Sequence, residues 1–419
     1  MRFSYKTFGW RVFLLVTLFF SLTNILRVTG NNLQNHSTRI LPSQLQDSSI
    51  YLPLIFKNYP LITTFGVEAG EGFYWLENAG VSWVRLTKHI RWMDVEAIEG
   101  SYDWSKVDQE ITPLLNIANQ KNLIPIIVVR SAPEWARKYR NSSCGPIKHD
   151  KLDSFAKFMG KLVERYSKLP YNVMYYHIWN EPDAPLNPNG ENVGCWGEET
   201  YPNDPYFGGE YYGEMLKRVY PVMKAANPSI QVLTGALLLD CDPRSWGDGY
   251  CSTREKAKQW NFFEGILKSG AGNAFDILAF NGYAYYRDGK NPVWAERYAR
   301  REWAAKGGQV DGKLDYLRDM MARYGVNKPI ILAESAIIDI TNEEAKADYL
   351  VWTYANTWSQ GLKATVWYRL WGWRGSALMG SGNTPLPAYH ALKAMIGILA
   401  QADYKSREDN PGYTKFVYH

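Results

Sequence analysis

Two short stretches put a carboxylate where an apolar run ends. "IWNEPD" (178–183) sets Glu181 between Asn180 and Pro182, and "ILAESA" (331–336) sets Glu334 after a second run of the same kind. A carboxylate in such a position must be solvated, paired or used. Two of them brought face to face suit cleavage of a glycosidic bond. One, kept protonated by its surroundings, donates to the leaving oxygen, while the other, ionised, attacks the anomeric carbon. Polar and aromatic groups end other β-rich runs in the same way: Glu68, Arg85, Arg130, Asn281, Tyr283, Trp367 and Trp371. Glu68 and Glu134 read more simply as surface or salt-bridged carboxylates.

These residues need a scaffold that gathers strand ends. Eight β-rich runs are expected, over residues 63–69, 82–87, 124–130, 172–181, 230–237, 275–283, 328–335 and 363–371. Between them lie segments with apolar residues three and four apart, such as "KLDSFAKFMGKLVERY" and "EEAKADYLVWTYANTWSQG", which predict amphipathic helices. A last one, "PLPAYHALKAMIGILA", carries proline in its first turn and follows the eighth strand. Strand and helix repeated eight times predict an α/β fold, a (β/α)8 TIM barrel with extended βα loops, over residues 61–405. Near-continuous apolar strands imply a parallel sheet covered on its outer face. An open doubly wound sheet is the weaker competitor, because no GxGxxG follows the first strand. In a barrel the working face is where the strands end, so Glu181 and Glu334, after strands four and seven, face each other across part of the mouth.

Residues 1–30 read as a secretory leader, with Arg2, Lys6 and Arg11 ahead of "VFLLVTLFF" and small residues at 28–30. The alternative is an uncleaved membrane tether through residues 12–26. A linker over 31–60 and a C-terminal tail over 406–419 complete the expected organisation, and the chain is read as an exported monomer, secreted or at the cell surface. Without the four basic residues of the leader, the formal net charge of +5 falls to +1, which removes any case for a nucleic-acid partner. The four cysteines form no CxxC pair, and export favours disulfides over zinc. Cys144 with Cys195, in neighbouring loops of a barrel, and Cys241 with Cys251, ten residues apart, are the favoured bridges; free buried thiols are the alternative. No metal or cofactor is expected: the six histidines form no ligand-spaced cluster, and no GxSxG elbow marks a serine hydrolase.

The two glutamate motifs resemble the acid/base and nucleophile signatures of the retaining glycoside hydrolases of clan A. The likeness extends through "VSWVRLTKHIRWMDVEAIEGSYDW" (81–104), "RSAPEWA" (130–136), "FDILAFNGYAY" (275–285) and "TVWYRLWG" with "PLPAYHALKAM". Within the clan the chain looks most like family 39, with the cellulase-like family 5 second. The resemblance implies an exported retaining β-glycosidase acting on an oligo- or polysaccharide, with Glu181 as general acid/base and Glu334 as nucleophile. It further implies that Asn180 holds the sugar 2-hydroxyl, that Arg85 and Tyr283 keep Glu334 ionised and oriented, and that Trp367 floors the reacting subsite, extended by Trp371 and Trp373. Asn281 departs from the pattern, standing where many relatives have histidine, so it can hydrogen-bond substrate but cannot titrate. That departure keeps a non-catalytic carbohydrate-binding barrel as the rival reading.

Overall fold

The computed structural model describes residues 13–16, 63–185, 195–197, 204–244, 259–285, 303, 307–410 and 413–419. Most of the expected leader and the whole expected linker lie outside them. Among the described residues, no helix is long and apolar enough to cross a membrane.

Eight strands form the barrel: β1 (Phe65–Ala69), β2 (Trp83–Leu86), β3 (Ile124–Arg130), β4 (Tyr175–Ile178), β5 (Gln231–Leu233), β6 (Leu278–Tyr285), β7 (Ile330–Ile338) and β8 (Ala364–Trp367). Every neighbouring pair is parallel, in the order β5, β4, β3, β2, β1, β8, β7, β6. The ring closes between β5 and β6 through the parallel bridges Leu233 with Ile277 and Leu237 with Phe280. Among the described residues, a covering helix follows each strand, with a short extra turn of helix at Trp92–Val95. The covering helices are α1 (Phe73–Ala79), α2 (Ser105–Gln120), α3 (Leu152–Tyr166), α4 (Gly209–Ala226), α5 (Phe262–Lys268), α6 (Gln309–Arg323), α7 (Glu343–Ser359) and α8 (Pro387–Leu399).

Local chemistry sets the helix ends. The Asn342 side chain accepts the backbone N–H of Ala345 at the start of α7, with Glu343 and Glu344 in the first turn to meet the positive end of the helix dipole. Pro387 opens α8, where its missing N–H costs nothing. In α3, Leu152, Phe155, Met159, Leu162, Val163 and Tyr166 recur at three- and four-residue spacing and turn one face to the barrel.

Two apolar layers result. A small one fills the lumen with alternate strand residues: Trp83, Ile126, Leu233, Ile277, Ala279, Ile331, Ala333, Ala364 and Val366. A large one lies between strands and helices. The alternation carries up to the mouth, so that Arg85 follows Trp83 and Asn281 and Tyr283 follow Ala279 along the inward-facing positions. Strict alternation would turn Glu334 outward, because Ile331 and Ala333 already face in. The pairing of β6 with β7 slips by one residue at this point: Phe280 pairs Leu332, but Asn281 pairs Glu334. This bulge spends one extra residue on β7 and brings Glu334 back to the lumen.

The segment expected as a tail is instead an antiparallel hairpin, β9 (Tyr404–Asn410) and β10 (Tyr413–Tyr418). It packs on α7, with Tyr418 Oη donating to the Ala355 carbonyl at 3.0 Å and its ring 5.1 Å from that of Trp358. Arg407 ties the hairpin to Asp311 of α6 at 2.9 Å. The segment Phe13–Val16 pairs in parallel with β10.

Candidate active site

The strand ends surround a cavity of about 730 Å³, whose wall includes Glu68, Arg85, Asn180, Glu181, Asn281, Tyr283, Glu334, Tyr368, Arg369 and Trp373. Of the residues expected there from the sequence, Arg85, Asn180, Glu181, Asn281, Tyr283 and Glu334 line it, and Trp367 and Trp371 do not.

Arg85 is the hub. It is buried, and its Nη1 reaches Glu334 Oε1 at 2.8 Å and also Glu68 Oε2, while its Nη2 donates to Asn180 Oδ1 at 2.7 Å. Tyr283 Oη donates to the other oxygen of Glu334. Glu334, only 5% exposed, thus has one oxygen on a guanidinium and the other on a phenol. Both of its oxygens are held in a fixed orientation towards the cavity.

Glu181 has the opposite surroundings. It is 6% exposed, with no cation bonded to it among the described residues, and it accepts one neutral donor, Asn281 Nδ2, at 2.8 Å. Burial above all, and then the charge of Glu334, hold its carboxyl well above the usual range, with Asn281 opposing. The chain enters this position through left-handed backbone at Trp179 (φ 71°) and Glu181 (φ 47°). Such conformations cost non-glycine residues roughly 1–3 kcal/mol each and gather at functional sites. Here the turn at Trp179 sends its indole into the core, where Nε1 donates to the Cys144 carbonyl at 2.8 Å, and leaves Asn180 and Glu181 on the mouth. Asp183, the last residue of the motif, is fully buried and accepts the N–H groups of Leu238 and Leu239 at 2.9 and 3.0 Å, so it fixes the loop after β5. Burial pushes its carboxyl up to about 6 against those hydrogen bonds.

Glu68 is no surface carboxylate. It is buried beside Arg85, and burial raises it to about 7, with Arg85 opposing and Glu334 adding. Glu134, by contrast, is exposed and paired with Arg140. His177 is buried in the barrel wall and His89 is half-buried in the mouth; desolvation first, then the charge of Arg85, lowers both imidazoles well below their usual range and keeps them neutral. Lys313 of α6 reaches under β6 to the carbonyls of Leu238 and Asn281 at 2.6 and 2.8 Å, a support that no sequence spacing marks.

The expected floor of the site needs correction. Trp367 is 0% exposed, its Nε1 donates to the Ser376 carbonyl at 2.8 Å, and its ring packs on Tyr349 of α7. The cause is strand alternation: Ala364 and Val366 face the lumen, so Trp367 faces the helices and the next residue, Tyr368, faces in. Trp371 also misses the cavity, its ring lying over Gly72, where a Cβ would overlap it. The aromatic wall is instead Tyr283, Tyr368 and Trp373, three rings in mutual edge contact at 5.3–6.0 Å. Trp373 is 38% exposed, an open ring at the rim.

The Cys144–Cys195 bridge joins the loop after β3 to the loop after β4, with Cα atoms 5.2 Å apart. Cys251, the expected partner of Cys241, lies outside the described residues. Among those residues, no group of three or more histidine, cysteine, aspartate or glutamate side chains is arranged to hold a metal ion.

No family model matches the chain, and no curated protein matches it in sequence. Among solved structures it is similar to a family 39 glycoside hydrolase from the gut symbiont Bacteroides cellulosilyticus, at TM-score 0.56 and 18% identity, covering 83% of this chain and 66% of that one. It is also similar to a monomeric β-xylosidase from Caulobacter crescentus (TM-score 0.52, 16% identity, 80% of this chain and 68% of that one). A third is the family 39 enzyme from Xanthomonas axonopodis (TM-score 0.52, 14% identity, 81% and 67%). The chain spans about two thirds of the length of these proteins. At such identities the likeness is one of fold, that of the glycoside hydrolase barrels.

Proposed function

We propose that this protein is an exported, retaining β-glycosidase that hydrolyses an oligo- or polysaccharide by double displacement. One observation carries the reading: two glutamates share one cavity and meet opposite surroundings. Glu181, held protonated by burial beside Glu334, is suited to donate to the departing glycosidic oxygen. Glu334, bonded to Arg85 and Tyr283, is suited to attack the anomeric carbon and form a glycosyl-enzyme. Glu181, then ionised, takes a proton from the water that releases the sugar. Arg85 bonds Asn180 as well as Glu334, so a single guanidinium orients the nucleophile and the amide proposed to hold the 2-hydroxyl. Tyr368 and Trp373 take the stacking role expected of Trp367. The leader-like first 30 residues support export. One structural neighbour is a β-xylosidase, which makes aryl β-xylosides the first substrates to try.

The test is a pair of substitutions. Glu334→Gln and Glu181→Gln should each lower turnover of an activated aryl glycoside by at least about a thousandfold, and azide should rescue only the variant at 181. Wild-type rate in Glu334→Gln contradicts the mechanism.

A further inference from the structure

One buried carboxylate in the cavity has no part in double displacement. Glu68, on β1, places Oε2 on the same Arg85 Nη1 that holds Glu334 Oε1. Its other oxygen, Oε1, accepts no hydrogen bond from any described residue, although the residue is only 3% exposed and forms part of the cavity wall. Oε1 is not sealed off from the cavity, so a ligand there can supply the donor that the described residues do not. From the anchored arrangement we infer that Glu68 is a specificity-determining residue, whose free Oε1 accepts a hydrogen bond from a ring hydroxyl of the sugar in the reacting subsite. The inference rests on the glycosidase reading.

Distance supports it. Two carboxylate oxygens that bond the same nitrogen lie no more than about 6 Å apart, two hydrogen-bond lengths. A sugar whose anomeric carbon sits at Glu334 therefore carries its ring hydroxyls within reach of Glu68. The topology gives the direction, because β1 lies between β8, which leads into Tyr368 of the aromatic wall, and β2, which carries Arg85. A ring stacked on that wall turns its hydroxyl edge along the mouth towards neighbouring strand ends. Anchoring by Arg85 also fixes the carboxylate in advance, so little freedom is lost when substrate arrives. A site built to bond a hydroxyl rejects an analogue that lacks it, because the buried acceptor is then left unpaired.

The experiment uses whichever 4-nitrophenyl β-pentoside or β-hexoside the wild-type protein turns over fastest, with its 2-, 3- and 4-deoxy analogues. Glu68→Ala should lower kcat/KM on the parent glycoside by about 10- to 100-fold, the worth of a hydrogen bond to a charged group. On one deoxy analogue, already poor for the wild type, the same substitution should cost less than about 3-fold, because the bond it removes is absent there. Glu68→Gln keeps the volume and, where the alanine variant fails to fold, should show a smaller loss tied to the same hydroxyl. A loss of equal factor on every analogue, at an unchanged thermal midpoint, overturns the inference and leaves Glu68 as a partner of Arg85 only. A wild type that cleaves no glycoside overturns both this inference and the glycosidase reading; one that cleaves with a uniform Glu68 effect overturns this inference alone.

Discussion

At the scale of single residues, the site separates two glutamates by what each is bonded to. Among the described residues, Asn281 is the sole side-chain donor to Glu181, and its hydrogen bond favours the ionised form. Asn281→Ala should therefore lower kcat/KM by about 10- to 100-fold and move the alkaline limb of the pH profile upward, since the carboxyl then holds its proton longer. A downward move would contradict this role. Glu68 makes a second prediction, about stability. Its carboxyl rises from an ordinary 4.5 to about 7 in the folded protein, so the stability it contributes is present below about 4.5 and is lost as pH rises through about 7. Asp183, raised to about 6, acts in the same direction. The thermal midpoint should fall between these pH values, and Glu68→Gln should flatten the fall. That Glu181 and Glu334 would meet in one cavity was legible in the sequence because each ends an apolar run inside a specific motif. The Asn281–Glu181 bond was not, because it joins residues 100 apart on different strands.

At the scale of elements, the eight strands were legible because parallel strands, buried on both faces, leave unbroken apolar runs, and a helix must cover each one. What the runs hide is phase. Along β8 the lumen takes Ala364 and Val366, so the conspicuous tryptophan falls on the wrong face and the less conspicuous Tyr368 on the right one. The alternation of "ATVWY" held that information, whereas the bulge that returns Glu334 to the lumen had no comparable mark in "ILAES". Two substitutions separate the roles. Trp367→Phe should leave KM unchanged and lower stability by about 1 to 3 kcal/mol, through its lost bond to Ser376 and a reduced ring. Tyr368→Ala should raise KM several-fold or more with a smaller effect on folding, as measured by denaturant unfolding beside steady-state kinetics. The hairpin β9–β10 escaped the sequence reading because its apolar residues are few; Phe416 and Tyr418 alternate onto one face and are buried only because α7 covers them.

At the scale of the whole molecule, the barrel is a closed ring whose chemistry sits at its strand ends, and the disulfide binds the loops after β3 and β4 together. Cys144 and Cys195 are 51 residues apart, and closing a loop of that length stabilises by about 4 kcal/mol on chain-entropy grounds. Cys144→Ser with Cys195→Ser should therefore lower the thermal midpoint and, because Trp179 bonds the Cys144 carbonyl just ahead of Glu181, should also lower kcat; a fall in stability at unchanged kcat would show that the bridge does not position the acid. The central claim is that Glu334 forms a covalent bond to the sugar while Glu181 does not. Incubating the protein with a 2-deoxy-2-fluoro aryl β-glycoside of the preferred sugar, digesting it and sequencing the labelled peptide by mass spectrometry tests this directly. One fluorosugar per protein on Glu334 is the predicted result. Turnover of the natural substrate with inversion at the anomeric carbon, or a label on Glu181, would contradict the account.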